Sequence, residues 1–352
     1  MASAAMVSLP ACARANKPAT SNEPLGVALV GLGSYSTGQL APALQLTQHC
    51  QLLGIVTGSP EKIPVWQRRH DIPDRNVYNY DNLHRIADND DIDVIYIVVP
   101  TGLHAKYAIQ AAEAGKHVWC EKPMAMTVEE CQRIIDACEA NKVRLSIGYR
   151  MQHEPNTQTV IQYADTKPYG AIRELRAEAG YAGGGGTGWR FERKMGGGAL
   201  YDMGVYTING LRYASGLEPS RVIAAKMTTD RPKIFTEVDE TTEYQLEFPS
   251  GIIGHGRTSV GQSMNVLRVS ADRGWYELRP MQTYSGVRGE TSDGKLLDQE
   301  VNDQQARQMD NDALAIKTQQ PVRVPGIEGL RDIAIVQAIR EAAETGKSIE
   351  LG

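Results

Sequence analysis

One segment restricts the fold of this chain more than any other. Val27-Ala28-Leu29-Val30 is a continuous apolar run, Gly31-Leu32-Gly33-Ser34-Tyr35-Ser36 follows at once, and a helical pattern through Leu46 leads to a second apolar run, Gln51-Leu52-Leu53-Gly54-Ile55-Val56. A buried strand, a glycine turn and a helix returning to a second strand form a βαβ unit in about 30 residues. The alternation continues with helices near 60–70 and through Ile86, an extended piece at Val77-Tyr78 and the strand Val94-Ile95-Tyr96-Ile97-Val98-Val99. A helix over 103–115 then ends on Gly115 as its C′ cap, followed by a strand over 117–120. Thr127 and Glu130 read as the capping box of a helix over 127–140, and a strand over 143–147 closes the series. This predicts a doubly wound α/β domain ending near residue 148.

The turn also predicts a ligand. Gly31 allows the sharp bend and Gly33 lets a pyrophosphate approach the helix N-terminus, with Ser34 and Tyr35 beside it. Serine at 36 replaces the usual third glycine and is expected to loosen helix–strand packing slightly. The second strand ends in Thr57-Gly58-Ser59, with Lys62 nearby. No carboxylate stands at that strand end to repel a ribose 2′-phosphate, while Ser59 and Lys62 offer a donor and a positive charge, so NADP is expected over NAD. After the strand 94–99 come Pro100, Thr101 and His104, where the nicotinamide half should run. His104 either touches the cofactor or caps and packs its own helix.

Beyond residue 148 the rhythm changes. Residues 170–181 and 221–284 show period-2 runs such as Thr242-Glu243-Tyr244-Gln245-Leu246-Glu247-Phe248, with turn signals between them. A large, mostly antiparallel open sheet is expected, with helices over 153–165, 198–215 and 328–344, the last packing back. The division is an N-terminal arm over 1–24, a dinucleotide-binding domain over 25–148 and an α+β domain over 149–352.

Composition excludes several classes. A formal net charge of −5 without a long basic run argues against nucleic acid, and no apolar stretch reaches the roughly 18 residues that span a bilayer. Five cysteines (Cys12, Cys50, Cys120, Cys131 and Cys138) show no metal-binding spacing. No metal is expected, and Cys131 and Cys138 read as packing residues. The arm lacks a basic leader and a clean apolar core, so the expected compartment is cytoplasmic, with periplasmic the alternative if the arm belongs to an export signal.

Two short motifs carry the chemistry. Cys120-Glu121-Lys122-Pro123 puts a lysine where a strand must end before proline, and ligands collect at such carboxyl ends. Gly196-Gly197-Gly198 precedes a helix on which Asp202 and Tyr206, four residues apart, share a face. A free phenol titrates near about 10, and a neighbouring ammonium favours the phenolate. Lys122 and Tyr206 are therefore a candidate acid/base pair.

The glycine turn, Val99-Pro100-Thr101 with His104, Glu121-Lys122-Pro123, Gly148-Tyr149-Arg150 and the Gly-Gly-Gly motif with Asp202, Gly204 and Tyr206 occur here in the order seen in one family. From about residue 25 to its end the chain resembles the glucose-fructose oxidoreductase, inositol dehydrogenase and MocA family. It resembles the glucose-fructose oxidoreductase branch in the turn at 57–62, in tyrosine at 206 and in Trp189-Arg190. The resemblance implies an N-terminal Rossmann domain, a C-terminal domain whose open sheet forms subunit interfaces (a dimer or tetramer), and a tightly held NADP. It implies that one sugar is oxidised at C1 to a lactone and a second is reduced to an alditol by ping-pong hydride transfer. Lys122 and Tyr206 are then the catalytic pair, with Asp202 orienting sugar or lysine. Arg150 and His153 join these three at the substrate, while Glu121, Lys122, Arg150, Trp189 and Arg190 join the residues above around the dinucleotide. His153 replaces a tyrosine of the branch, and the loop 182–188 is almost bare of side chains, so the acceptor is expected to be an aldose or a ketose. A conventional NADP-dependent sugar or inositol dehydrogenase with exchanging cofactor is the alternative. A non-catalytic NADPH sensor is a third reading, but it would need no proton donor.

Overall fold

The computed structural model describes residues 23–183, 185–301 and 303–352. The arm over 1–24, apart from Glu23 and Pro24, lies outside the described residues, as does Cys12.

The first domain follows the expected alternation. In chain order it contains β1 (Leu25–Val30), α1 (Ala41–Leu44), β2 (Cys50–Val56), α2 (Ile63–His70), β3 (Val77–Tyr78), β4 (Val94–Ile97), α3 (His104–Glu113), β5 (His117–Cys120), α4 (Val128–Ala140) and β6 (Leu145–Ile147). The strands are parallel in the order β3-β2-β1-β4-β5-β6. That is the doubly wound Rossmann order, with its switch point between β1 and β4. Side-chain alternation divides the core. Ala28, Val30, Ile95 and Ile97 face α3 and α4, whereas Val27, Leu29, Val94 and Tyr96 face the other side with α1. The Thr127 hydroxyl accepts from the Glu130 amide at 3.2 Å, as the capping box requires, and Gly115 has φ +72° after α3.

The second domain adds α5 (Pro155–Thr166), β7 (Ile172–Gly180), α6 (Val205–Ser215), β8 (Arg221–Thr228), β9 (Thr241–Phe248), β10 (Ile252–Ser259), β11 (Met264–Ala271), β12 (Gly274–Leu278), β13 (Gly289–Thr291) and β14 (Leu296–Leu297). Two helices follow, α7 (Gln304–Lys317) and α8 (Gly326–Thr345), then β15 (Ile349–Glu350). Nine strands form one open sheet in the order β14-β13-β12-β11-β7-β10-β9-β8-β15. It is mixed and mostly antiparallel, with β7 and β10 its parallel pair.

Helix α7 was not expected from the sequence. It covers the α1 side of the first domain's sheet, where Met309, Ala313 and Ile316 share a core with Val27, Leu29 and Trp119. Burying Met309 and Ile316 stabilises this docking by roughly 1.5–3 kcal/mol each. The Asp310 carboxylate adds hydrogen bonds from the Gln48 and His49 amides, both at 2.8 Å. Thus part of the 149–352 segment completes the core of the 25–148 domain. The helix expected over 198–215 begins as a π-helical turn over Leu200–Gly204 before α6. No helix among the described residues is long and apolar enough to cross a membrane.

Candidate active site

Neighbouring parallel strands deliver their next residues to one place. The glycine turn follows β1, Val98 and Val99 follow β4, Glu121 and Lys122 follow β5, and Arg150 lies just past β6. Across from them stand Tyr181 at the end of β7, the Gly-rich segment leading to α6, and the loop from Pro280 to Tyr284. Between these two sides lies a cavity of about 860 Å³. That is towards the upper end of the ~300–1,000 Å³ usual for ligand sites.

The three glycines before α6 each permit a close approach. At Gly196 (φ +80°) a Cβ would stand 2.7 Å from that of Thr101, and at Gly198 (φ +98°) it would collide with the Asp239 carboxylate. That carboxylate caps the helix start, accepting from the Leu200 amide at 2.9 Å. The helix is thereby fixed where Asp202 and Tyr206 both line the cavity.

Lys122 meets both. Its ammonium donates to the Asp202 carbonyl at 2.8 Å, lies 3.9 Å from the Asp202 carboxylate, and sits over the Tyr206 ring 4.5 Å from its centre. The expected lysine–tyrosine contact is present, but it is made with the face of the ring. Asp202 also accepts from Arg190 Nε at 3.0 Å and from the Tyr181 hydroxyl at 3.1 Å. Burial and the Asp202 charge push the Tyr181 phenol up, so it is a neutral donor. Trp189 packs on the Arg190 guanidinium, 4.4 Å from ring centre to carbon, and both line the cavity.

Arg150 is buried. Its guanidinium donates to the Thr283 carbonyl at 2.7 Å, to Gln304 Oε1 at 2.5 Å and to Gln282 Oε1 at 3.1 Å. Burial opposes its charge, but the surrounding Tyr206, Tyr35 and Tyr284 outweigh that effect and hold its proton more firmly than usual. Glu121 accepts from the Tyr96 hydroxyl at 2.7 Å, and Gln308 on α7 donates to that hydroxyl at 3.2 Å. Burial pushes the Glu121 carboxyl up, with the Tyr96 bond and the Lys122 charge opposing it. Gly148 is needed here, since a Cβ would lie 2.7 Å from Glu121 Oε1.

The dinucleotide residues fall into two groups. Gly31 (φ +99°) packs against Val98, whereas none of the described residues comes within 4 Å of a Cβ built on Gly33, leaving its face open to them for a pyrophosphate. Ser34 and Tyr35 line the cavity beside it. Ser36 corrects an expectation: its hydroxyl donates to the Gly31 carbonyl at 2.5 Å, tying helix to turn instead of loosening them. Thr57, Gly58, Ser59 and Lys62 lie at the end of β2, outside the cavity lining. Lys62 reaches the turn by donating to the Leu32 carbonyl at 3.0 Å. The Thr57 hydroxyl accepts from the Ser59 amide at 3.1 Å, and Gly58 packs on Tyr80. Pro100 precedes the short 3-10 turn over Thr101–Leu103, and Thr101 lines the cavity. His104 borders the cavity, but its ring nitrogens face the Pro123 and Val99 carbonyls at 2.8 and 2.7 Å. It clamps the Lys122-Pro123 loop to the end of β4, and burial holds its imidazole below the usual range.

His153 is not brought to the site. It is buried under α7, where Nδ1 meets Asn311 at 3.0 Å, and it does not line the cavity. Glu154, which follows it, is also buried and caps α5, accepting from the Thr157 amide at 2.6 Å. Sequence reasoning missed Tyr181, Asn265, Gln282, Thr283, Tyr284 and Gln304. Tyr181 had a signal, since it directly follows an alternating strand. The loop residues had none, because only the folded sheet carries them to Arg150.

The open face at Gly33 and the donor-rich strand ends fit an adenine dinucleotide. Such a site in a doubly wound domain, with proton-carrying side chains beside it, defines an NAD(P)-dependent oxidoreductase. Comparison with known proteins gives the family. Residues 25–149 match the oxidoreductase family with an NAD-binding Rossmann fold, and residues 157–277 match the GFO/IDH/MocA C-terminal domain. The chain belongs to the GFO/IDH/MocA family. It is similar to the crystal structure of aldose-aldose oxidoreductase from Caulobacter crescentus complexed with glycerol, at 34% identity and a TM-score of 0.89, covering 94% of this chain and 100% of that one. It is also similar to D-xylose 1-dehydrogenase (NADP(+)) of Haloarcula marismortui, 27% identical over 95% of this chain and 94% of the relative. A second D-xylose 1-dehydrogenase (NADP(+)), from Haloferax volcanii, is 27% identical over 92% of this chain and 98% of its own.

Proposed function

We propose that this protein oxidises an aldose at C1 to the lactone and reduces a second sugar to the alditol, with NADP held between the two steps. The observation that carries this reading is the cavity in which Tyr206, Lys122, Asp202 and Arg150 converge beside the glycine turn. Likeness to an aldose-aldose oxidoreductase over 94% of this chain supports an aldose as acceptor. Gly31, Gly33, Ser34 and Tyr35 would hold the pyrophosphate side, and Ser59 and Lys62 the ribose 2′-phosphate. Bound there, the dinucleotide would supply the hydride acceptor for C1 of one sugar and the hydride donor for the carbonyl carbon of the next.

The protein's own part is proton transfer and orientation. Tyr206 as phenolate takes the C1 hydroxyl proton of the first sugar while the C1–H pair leaves as hydride. The lactone departs, and Tyr206 returns the same proton to the carbonyl oxygen of the second sugar. One hydride and one proton, together two electrons and two protons, thus leave one sugar and enter the other, with no other oxidant. Asp202, held by Tyr181 and Arg190, orients sugar hydroxyls. Trp189 gives an apolar face against which a pyranose ring can stack.

The conventional dehydrogenase reading is favoured by the two D-xylose 1-dehydrogenases. Prolonged dialysis, then one aldose, then a second sugar separates the readings. The sugar–sugar cycle requires nicotinamide absorbance to rise with the first sugar and fall with the second in dialysed protein. A dialysed protein that is silent until free NADP is added supports the dehydrogenase.

We also infer assembly of like subunits through the outer face of the nine-stranded sheet. Arg176–Glu178 (2.6 Å) and Arg257–Glu243 (3.1 Å) place both signs on that face, with His255 3.3 Å from Glu174, around a groove of about 340 Å³. A face carrying both signs can complement itself across a two-fold axis. Light scattering should give a dimer or tetramer, and a strict monomer at micromolar concentration would contradict it.

A further inference from the structure

The loop between β12 and β13 reaches across the cavity from the second domain. The Arg279 amide donates to the Arg288 carbonyl at 2.7 Å, which closes residues 280–287 into a loop, and Met281 and Val287 are buried at its two feet. Asn265 on β11 grips the backbone between them. Its side chain accepts from the Gln282 amide at 2.9 Å and donates to the Gln282 carbonyl at 2.5 Å. Arg150, on the wall of strand ends, donates to the Thr283 carbonyl at 2.7 Å and to Gln282 Oε1 at 3.1 Å. The loop is thus tied to both walls.

Tyr284 stands just past these anchors. Its ring centre lies 6.0 Å from that of Tyr35, with the planes tilted by 35°, and the Arg150 guanidinium carbon lies 5.0 Å from the same centre. Tyr35 belongs to the glycine turn, so the two rings join the first domain to the second. Both line the cavity, yet Tyr284 is 48% exposed, which puts the pair at the solvent edge. The partners of this ring therefore stand on the opposite wall, and they meet it where the cavity opens to water.

We propose that the 280–287 loop is the clasp that retains the dinucleotide between the two sugars, with Tyr284 its catch on Tyr35 and Asn265 the residue positioning it. The inference rests on the sugar–sugar reading above, in which one dinucleotide serves both steps. A contact that spans the edge of a cleft has to open before a ligand of a dinucleotide's size can leave, and can stay shut while a smaller one exchanges. Such contacts act on the rate of leaving more than on the rate of arrival.

The test is the release of NADPH from the loaded protein into a large excess of NADP, followed by nicotinamide fluorescence, and it involves no sugar. Tyr284→Ala should release NADPH about tenfold faster than the parent, for the loss of one aromatic pair and one cation–π contact. Tyr284→Phe keeps the ring and should stay near the parent rate. Asn265→Ala frees the loop but keeps the ring, and should fall between the two. Release from Tyr284→Ala at the parent rate overturns the proposal, and so does an equal acceleration in Tyr284→Phe. A Tyr284→Ala protein that takes up no NADPH at saturation also overturns it, since the ring would then be needed for binding itself. An unchanged Asn265→Ala would strike the positioning role. Release from the parent within one turnover would sink the sugar–sugar reading, while the ratio of Tyr284→Ala to parent still decides the clasp.

Discussion

On the function proposed above, a single oxygen at Tyr206 separates a proton carrier from an inert ring. Tyr206→Phe should lower turnover by on the order of 10²–10⁴ while melting temperature and dinucleotide content stay as in the parent. Near-normal turnover in that variant would remove Tyr206 from the mechanism. Two glycines should behave oppositely. Gly33 faces open space, so Gly33→Leu should leave the fold intact and weaken dinucleotide binding, read by fluorescence titration. Gly198 has positive φ and abuts Asp239, so Gly198→Ala should cost more than about 1 kcal/mol in chemical denaturation. The meeting of Lys122, Asp202 and Tyr206 at one cavity was legible in the sequence because each stands in a short motif whose local geometry is fixed by Pro123 or by the three glycines. His153 was misread. Its position after Arg150 suggested the cavity, but its ring packs under α7 against Asn311.

At the scale of elements, the strands up to β12 and the helices other than α7 were visible because burial follows their periodicity, whereas the short strands β13, β14 and β15 were too brief to show a period. Helix α7 was not visible, for a physical reason: much of its buried face is polar, with Gln304, Gln305, Gln308 and Asp312 turned inward. Gln304 and Gln308 are there to hold Arg150 and the Tyr96–Glu121 pair. Asp312 has a different consequence. Burial pushes its carboxyl up to about 7, so it stays protonated in the folded protein when the unfolded chain has already ionised. A raised folded value gives stability that is present below about 4 and is lost as pH rises towards 7. Asp312→Asn should therefore stabilise the protein at pH 8 by on the order of 2 kcal/mol, with the gain disappearing near pH 4. Calorimetry at both pH values checks this, and an equal gain at each would place the effect outside ionisation. His153 acts at the other end. Burial holds it down at about 3, so its share of stability is lost as pH falls below about 6.5.

At the scale of the whole molecule, the chain crosses between its two domains more than once. Residues from four parallel strand ends form one wall of the cavity, and a strand end, a helix start and a loop of the second domain form the other. Helix α7 then returns to lock Arg150 and Glu121 from behind. The two-domain plan was readable from the change of hydrophobic period near residue 148, whereas the return of α7 depends on contacts some 200 residues apart. If one nicotinamide stays in this cavity while two sugars visit in turn, hydrogen must pass from one to the other without meeting the solution pool. An aldose deuterated at C1, turned over with an unlabelled acceptor sugar in excess free NADPH, tests this directly. The alditol should carry the deuterium undiluted, whereas an unlabelled alditol, with the deuterium in the free dinucleotide, would contradict it.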